Sequence, residues 1–254
     1  MCRATVEGGR RCPAHTDPAK VQAYNSRRRE LYAARHNKNF VASHPPISFI
    51  KQFNRLAEEY ENLLTDQEKD ALHEYTDISY TDIKDYLYGK DINLDDNDFD
   101  ASEIKEMKKQ IKLIDSALSK AIPPEEDRVL YRGIKIPGHV EDASIWLAEN
   151  YPVGAIIKKK GYLSTSVNPT VALQSYMGIN DSDITDYQTV CLLTFSSKRG
   201  APISSNLSAF EDEHEILIGR DQKFKVEEII SDATVSVDSK GKNIKTVIIK
   251  LTDV

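Results

Sequence analysis

The 254-residue chain reads as an α+β protein, and three observations carry that reading. Apolar residues recur at helical spacing as far as Leu118, then at strand-like spacing from Arg128 onward. Helices precede strands instead of alternating with them, which disfavours a parallel βαβ sheet. No internal repeat is present.

The elements follow in order. Ile50, Phe53, Ala57, Tyr60 and Leu64 are spaced +3, +4, +3, +4, which predicts an amphipathic helix. Thr65-Asp66-Gln67-Glu68 has the capping-box pattern and starts a second helix through Ala71, Leu72 and Tyr75. A third covers Thr81 to Tyr88 and stops at Gly89. Asp91 to Asp100 is an acidic surface loop; it half-resembles a calcium loop, but Asp96 stands where the sharp turn requires Gly. Ser102 is expected to cap a helix with Ile104, Met107, Ile111, Ile114 and Leu118 on its apolar face, ended by Pro123-Pro124.

The period then changes. Arg128 to Ile134 is β-favouring, Val140 to Asn150 helical, and Ala155–Ile157 and Gly161–Ser166 strand-like. Asn168-Pro169 starts a helix through Val171, Leu173 and Tyr176. The remainder reads as strands at Thr189–Phe195, Glu215–Ile218, Lys223–Glu228, Thr234–Asp238 and Lys245–Leu251.

A composition of 40% apolar and 29% charged residues suits one large domain with an appendage. No window reaches the roughly 18–20 apolar residues of a membrane span. The N-terminus lacks an apolar signal-peptide core, and three cysteines make no disulfide framework. The expectation is a protein of a reducing cytoplasm, with delivery into another cell left open.

Residues 1–40 hold nine Lys/Arg against three acidic residues, a balance of +6, leaving 25 basic and 37 acidic residues, −12, in the rest. Residues 1–44 are therefore expected to form a basic, partly helical or flexible arm, and 45–254 the body, with the boundary at Pro45-Pro46. The arm suggests a polyanion or protein partner, or simply a solvated tail. Cys2, Cys12 and His15, with His36 as a fourth ligand, offer zinc donors, but their spacing fits no finger pattern and no metal is expected.

Three short motifs remain: Tyr131-Arg132-Gly133, Ser164-Thr165-Ser166 and Glu213-His214-Glu215. In an extended strand Glu211, Glu213 and Glu215 would line one face, and the apolar run Ile216-Leu217-Ile218 would carry Glu215 towards the core. Like charges so close disturb one another's titration. A structural ion pair for Arg132 and an ordinary edge strand for Ser164–Ser166 are the plain readings of each motif alone.

In this order the three motifs resemble the signature of the Arg–Ser–Glu class of mono-ADP-ribosyltransferases, in particular the clostridial-type binary-toxin and phage enzymes. Lys69-Asp70-Ala71-Leu72, Tyr75-Thr76, Tyr80 and Tyr86–Gly89 resemble that family's helical lead-in, and Leu217 to Val226 its closing strands. The resemblance spans about residues 45–254. It implies a helical lead-in followed by two packed, mostly antiparallel sheets around an NAD cleft.

It also implies roles. Arg132 would recognise the NAD pyrophosphate with paired donors, and Gly133 would let backbone approach the nicotinamide amide. Ser164 would hydrogen-bond the catalytic glutamate or the nicotinamide ribose, with Thr165 and Ser166 keeping the strand in register. Glu215 would stabilise the oxocarbenium-like transition state, and Glu213 would orient or deprotonate the acceptor, which the family pairs with arginine. Phe210 matches the aromatic of the substrate-recognition turn, and Glu211 is read as solvated or steering. Where relatives often carry Asn on the short helix near the nicotinamide, this chain has Tyr80-Thr81-Asp82-Ile83-Lys84, so Lys84 could serve the pyrophosphate instead. The implied activity is transfer of ADP-ribose from NAD to an unidentified protein. An NAD glycohydrolase, a two-carboxylate glycoside hydrolase and a non-catalytic NAD-binding or interaction module are the alternatives.

Overall fold

The computed structural model describes residues 47–89, 101–124, 127–137, 143–174, 188–210, 213–236 and 243–254. The basic arm with Cys2, Cys12, His15 and His36, the boundary at residue 45, the acidic loop at 91–100, Tyr176 and Glu211 lie outside them.

Helices α1 (Ile47–Glu61), α2 (Asp66–Glu74), α3 (Tyr80–Tyr88) and α4 (Ala101–Ser119) form the lead-in. Phe53, Ala57 and Tyr60 are buried along α1, as their spacing predicts, with Ile50 half-buried; Leu64 is buried in the turn after the helix ends. The capping box at Thr65 is formed: its hydroxyl accepts from the Glu68 amide, and Glu68 reaches back to the Thr65 amide at 2.7 Å. Glu68 is itself buried and also receives Lys120 Nζ at 2.6 Å and the Ser116 hydroxyl at 2.8 Å. The cap thus anchors α2 to α4 and the residues after it. Gly89 ends α3 in the left-handed conformation (φ 65°), which a side chain would resist.

Two expectations need correction here. No break separates the second and third helices; a π-helical turn, Tyr75–Ser79, joins α2 to α3 and absorbs an extra residue. Ser102 lies inside the first turn of α4, which begins at Ala101, and the helix ends four residues before Pro123.

The strands are β1 (Arg128–Pro137), β2 (Ile156–Lys159), β3 (Leu163–Ser166), β4 (Gln188–Ser197), β5 (Ala201–Pro202), β6 (Glu215–Ile218), β7 (Gln222–Ser236) and β8 (Asn243–Asp253), with helices α5 (Ala143–Asn150) and α6 (Pro169–Gln174) between them. Their hydrogen-bonded order is β2-β7-β8-β4-β1-β3-β6-β5, antiparallel except for β4 beside β8. The two expected sheets are two blocks of this order. They join through a single residue pair, Tyr131↔Ser166, between β1 and β3. The two strands expected at 223–228 and 234–238 are one, because register shifts at Val226/Glu228 and Ile230/Ala233 let β7 bend without leaving β8. The two-residue β5 was not foreseen; a run so short has no period.

Two cores follow from strand alternation. Ile216 and Ile218 face one core with Leu163, Leu130, Phe195, Phe224 and α5. Leu217 faces the other, with Tyr75, Ile83, Ile111, Ile114 and Tyr162 from the helical layer. Glu215, two residues before Leu217, therefore points towards the helices.

Candidate active site

Strand β6 carries Glu215 into the protein, 3% exposed. Burying Ile216, Leu217 and Ile218 contributes about 1.5–3 kcal/mol each. Burial pushes the Glu215 carboxyl up from 4.5 to about 7; the Ser164 hydrogen bond lowers it, Glu213 raises it and Arg132 lowers it. At about 1.4 kcal/mol per pKa unit, keeping Glu215 ionised costs less than the three apolar side chains return, so the strand stays in place.

The register of β3 against β6 sets the partner. Ser164 pairs with Leu217 and Ser166 with Glu215, so Ser164 shares the face of Glu215 and hydrogen-bonds its carboxyl. Thr165 points the other way, its hydroxyl donating to Ile216 O at 2.7 Å, and so clamps β3 to β6. Arg132 comes from β1, across the junction between the two blocks. Its Nη1 donates to Ser164 O at 2.5 Å, and its charge acts on both Glu215 and Tyr75. Gly133 is buried beside it, opposite Leu192 of β4. Arg132, Ser164 and Glu215, scattered over more than eighty residues, thus meet at the seam of the two blocks.

Tyr75 completes this group. In the sequence it was legible as an apolar helix position within the lead-in resemblance, with no site role assigned, yet its hydroxyl hydrogen-bonds Ser164. Its ring packs edge-on against Tyr162 at 5.4 Å. Burial, then the Glu215 charge, raises its pKa, although Arg132 and Ser164 oppose the shift, so the hydroxyl stays neutral. Lys159 is a second unforeseen neighbour. It sits over the Tyr151 ring at 4.7 Å with Nζ 2.8 Å from the Tyr151 hydroxyl, and burial, then Arg132, pulls its ammonium down to about 8.

Glu213 does not continue β6 outward. His214 adopts a left-handed backbone (φ 46°), which breaks the two-residue alternation, so the expected line of carboxylates on one extended face is not formed. Strain at a non-glycine residue needs local support. His214 has it: its ring meets Phe53 edge-on at 5.7 Å and its carbonyl accepts from Val167 N at 3.3 Å. The Ser166 hydroxyl donates to Glu213 O at 2.7 Å. Glu213 is half-buried at the rim, close enough for its charge to raise Glu215. Phe210, three residues earlier, is 54% exposed.

Tyr80 opens α3 and is exposed. Lys84 is exposed one turn further on. The structure therefore gathers Arg132, Gly133, Ser164, Thr165, Ser166, Glu213 and Glu215, and leaves Tyr80 and Lys84 exposed along α3.

No curated protein sequence matches the chain. Solved structures do. The Plx2a ADP-ribosyltransferase toxin of Paenibacillus larvae is 19% identical with a TM-score of 0.55, over 82% of this chain and 95% of that one. The Vis toxin, an ADP-ribosyltransferase of Vibrio splendidus, is 18% identical with a TM-score of 0.57, over 84% and 88%. Vis has also been crystallised with agmatine. The ADP-ribosylating toxin BECa of a C. perfringens binary enterotoxin, crystallised with NADH, is 20% identical with a TM-score of 0.59 over 85% of this chain, which spans about half the length of BECa. At these identities the likeness is one of fold. The sequence itself carries more: residues 51–253 match the family model of the ADP-ribosyltransferase exoenzymes, and the chain belongs to that family.

Proposed function

We propose that the chain transfers ADP-ribose from NAD, the substrate of its family, to the guanidinium of an arginine side chain on a protein. The observation that supports this reading most is the pairing of Glu215, buried beside Ser164 and within reach of the Arg132 charge, with Glu213 on the rim two residues away.

Arg132 binds the pyrophosphate through paired donors. Gly133, Ser164, Thr165 and Ser166 shape the nicotinamide end of the site, and Tyr80 with Lys84 lines the approach along α3. As the bond from the ribose C1′ to the nicotinamide nitrogen breaks, nicotinamide leaves neutral with the bonding electrons, and positive charge develops on the ribose. The Glu215 carboxylate stabilises that charge. Glu213 orients the incoming guanidinium and takes its proton as the new N–C1′ bond forms. Phe210 packs against the protein that carries the arginine. The agmatine complex of Vis supports a guanidinium acceptor, because agmatine carries that group.

The test is nicotinamide release from NAD, measured alone and with agmatine, in the wild type, Glu215→Gln and Glu213→Gln. Glu215→Gln is expected to lose about 10²–10³-fold in both reactions. Glu213→Gln is expected to lose transfer while NAD hydrolysis stays measurable. Rapid hydrolysis with no labelled acceptor in the wild type would establish a glycohydrolase instead.

A further inference from the structure

The π-helical turn presents two consecutive side chains to two different parts of the site. Tyr75 is buried against Tyr162 and hydrogen-bonds Ser164. Thr76 reaches across more than 130 residues of sequence to the segment before Phe210: its Oγ1 accepts from Ala209 N at 3.1 Å. The same hydroxyl donates its single proton to His73 O at 2.9 Å, with Leu207 O further off at 3.4 Å. Consecutive residues on a helical turn point about 100° apart, so Tyr75 and Thr76 reach these two targets from one turn.

The far end of the same segment is also tied by a hydroxyl, through Ser166 to Glu213 O. Phe210 thus stands exposed on a stretch fastened at both ends, and Ser208 steadies it from within by accepting from Phe210 N at 3.0 Å. We propose that Thr76 is a positioning residue that sets the acceptor-facing segment, and with it Phe210, relative to the NAD site. The inference rests on the reading that Phe210 and Glu213 face the acceptor. It adds a residue on the helical lead-in, outside all three motifs, that acts on transfer and not on NAD cleavage. The π turn links the two half-sites directly, because the residue touching Ser164 and the residue holding Ala209 are neighbours in the chain.

The test compares the full-length wild type, Thr76→Val and Thr76→Ser, with NAD alone and with agmatine as acceptor. Valine keeps the branched shape but removes the acceptor for Ala209 N–H. Thr76→Val is expected to lower kcat/KM for agmatine about five- to tenfold, with NAD hydrolysis within about twofold of wild type. Thr76→Ser is expected to restore transfer. The inference is overturned if Thr76→Val transfers like the wild type, or if hydrolysis and transfer fall in the same proportion. A wild type that cleaves NAD but modifies no guanidinium overturns the arginine reading itself, which is distinguishable because no variant is involved.

Discussion

The Ser166 hydroxyl and the Glu213 carbonyl oxygen lie 2.7 Å apart, and this bond joins the last residue of β3 to the turn that precedes β6. Ser166 Oγ also accepts from Asn168 N at 2.9 Å, so one buried hydroxyl serves both the turn and the entry to α6. Ser166→Ala leaves a buried N–H and a carbonyl without their partner. We expect a loss of about 1–3 kcal/mol in urea unfolding, and a larger fall in transfer to agmatine than in NAD hydrolysis. Equal falls in the two activities would contradict a role in placing Glu213.

The raised pKa of Glu215 predicts an acidic limb in the rate. In the proposed reaction Glu215 acts as a carboxylate, so kcat/KM for NAD is expected to rise with pH and level off above about 7. Glu213 is one of the causes that raise Glu215, so Glu213→Gln moves that limb of NAD hydrolysis to lower pH. The sign for stability is the reverse. A carboxyl whose folded pKa exceeds its ordinary 4.5 stabilises the fold below that value and loses this contribution as pH rises through about 7. Glu215→Gln should therefore be more stable than wild type at pH 8, by up to about 3 kcal/mol, with the advantage vanishing below pH 4.5. Chemical denaturation across that range checks it.

Glu68 shows the opposite balance. Burial pushes its carboxyl up, but hydrogen bonds from Lys120, the Thr65 amide, Ser116 and the Thr65 hydroxyl outweigh burial and hold it at about 2. Its contribution is present above pH 4.5 and is lost as pH falls towards 2. Glu68→Gln is expected to cost about 2–4 kcal/mol at pH 7, because it leaves the Lys120 ammonium without its carboxylate. A melt at pH 7 that matches wild type would contradict this.

Gly200 backs the strand that carries Glu215. Its φ is 98°, and a Cβ there would meet Ile216 Cγ2 at 2.6 Å and Leu217 O at 3.1 Å. Gly200→Ala is expected to destabilise by about 2 kcal/mol or more and to lower NAD cleavage by displacing β6. Thermal unfolding together with nicotinamide release measures both.

Much of this protein was legible in the order of its residues. The periods of Phe53–Leu64 and Met107–Ile114 marked the helices, Thr65 and Glu68 the cap, and Ile216–Ile218 the strand that buries Glu215, because each depends on neighbours within a few positions. The motifs around Arg132, Ser164 and Glu215 named residues that the structure brings together at the seam of the two blocks. Where local rules met a distant partner, the sequence reading fell short. The π turn at Tyr75–Ser79 reads as helix from either side, because residue order carries no sign of the wider backbone hydrogen bonding that separates it from an α turn. The strands expected at 223–228 and 234–238 left a gap between them, but pairing with β8 on either side of the register shifts carries β7 across it. The alternation of Glu213 and Glu215 failed at His214, whose left-handed backbone is held by Phe53 from α1 and Val167 from the far side of β3. The sequence by itself determined most of the helices and strands and pointed to the residues proposed to carry the chemistry. The tertiary structure decided how Glu213, Glu215 and Tyr75 face one another, because long-range register and packing, not local propensity, hold those three orientations.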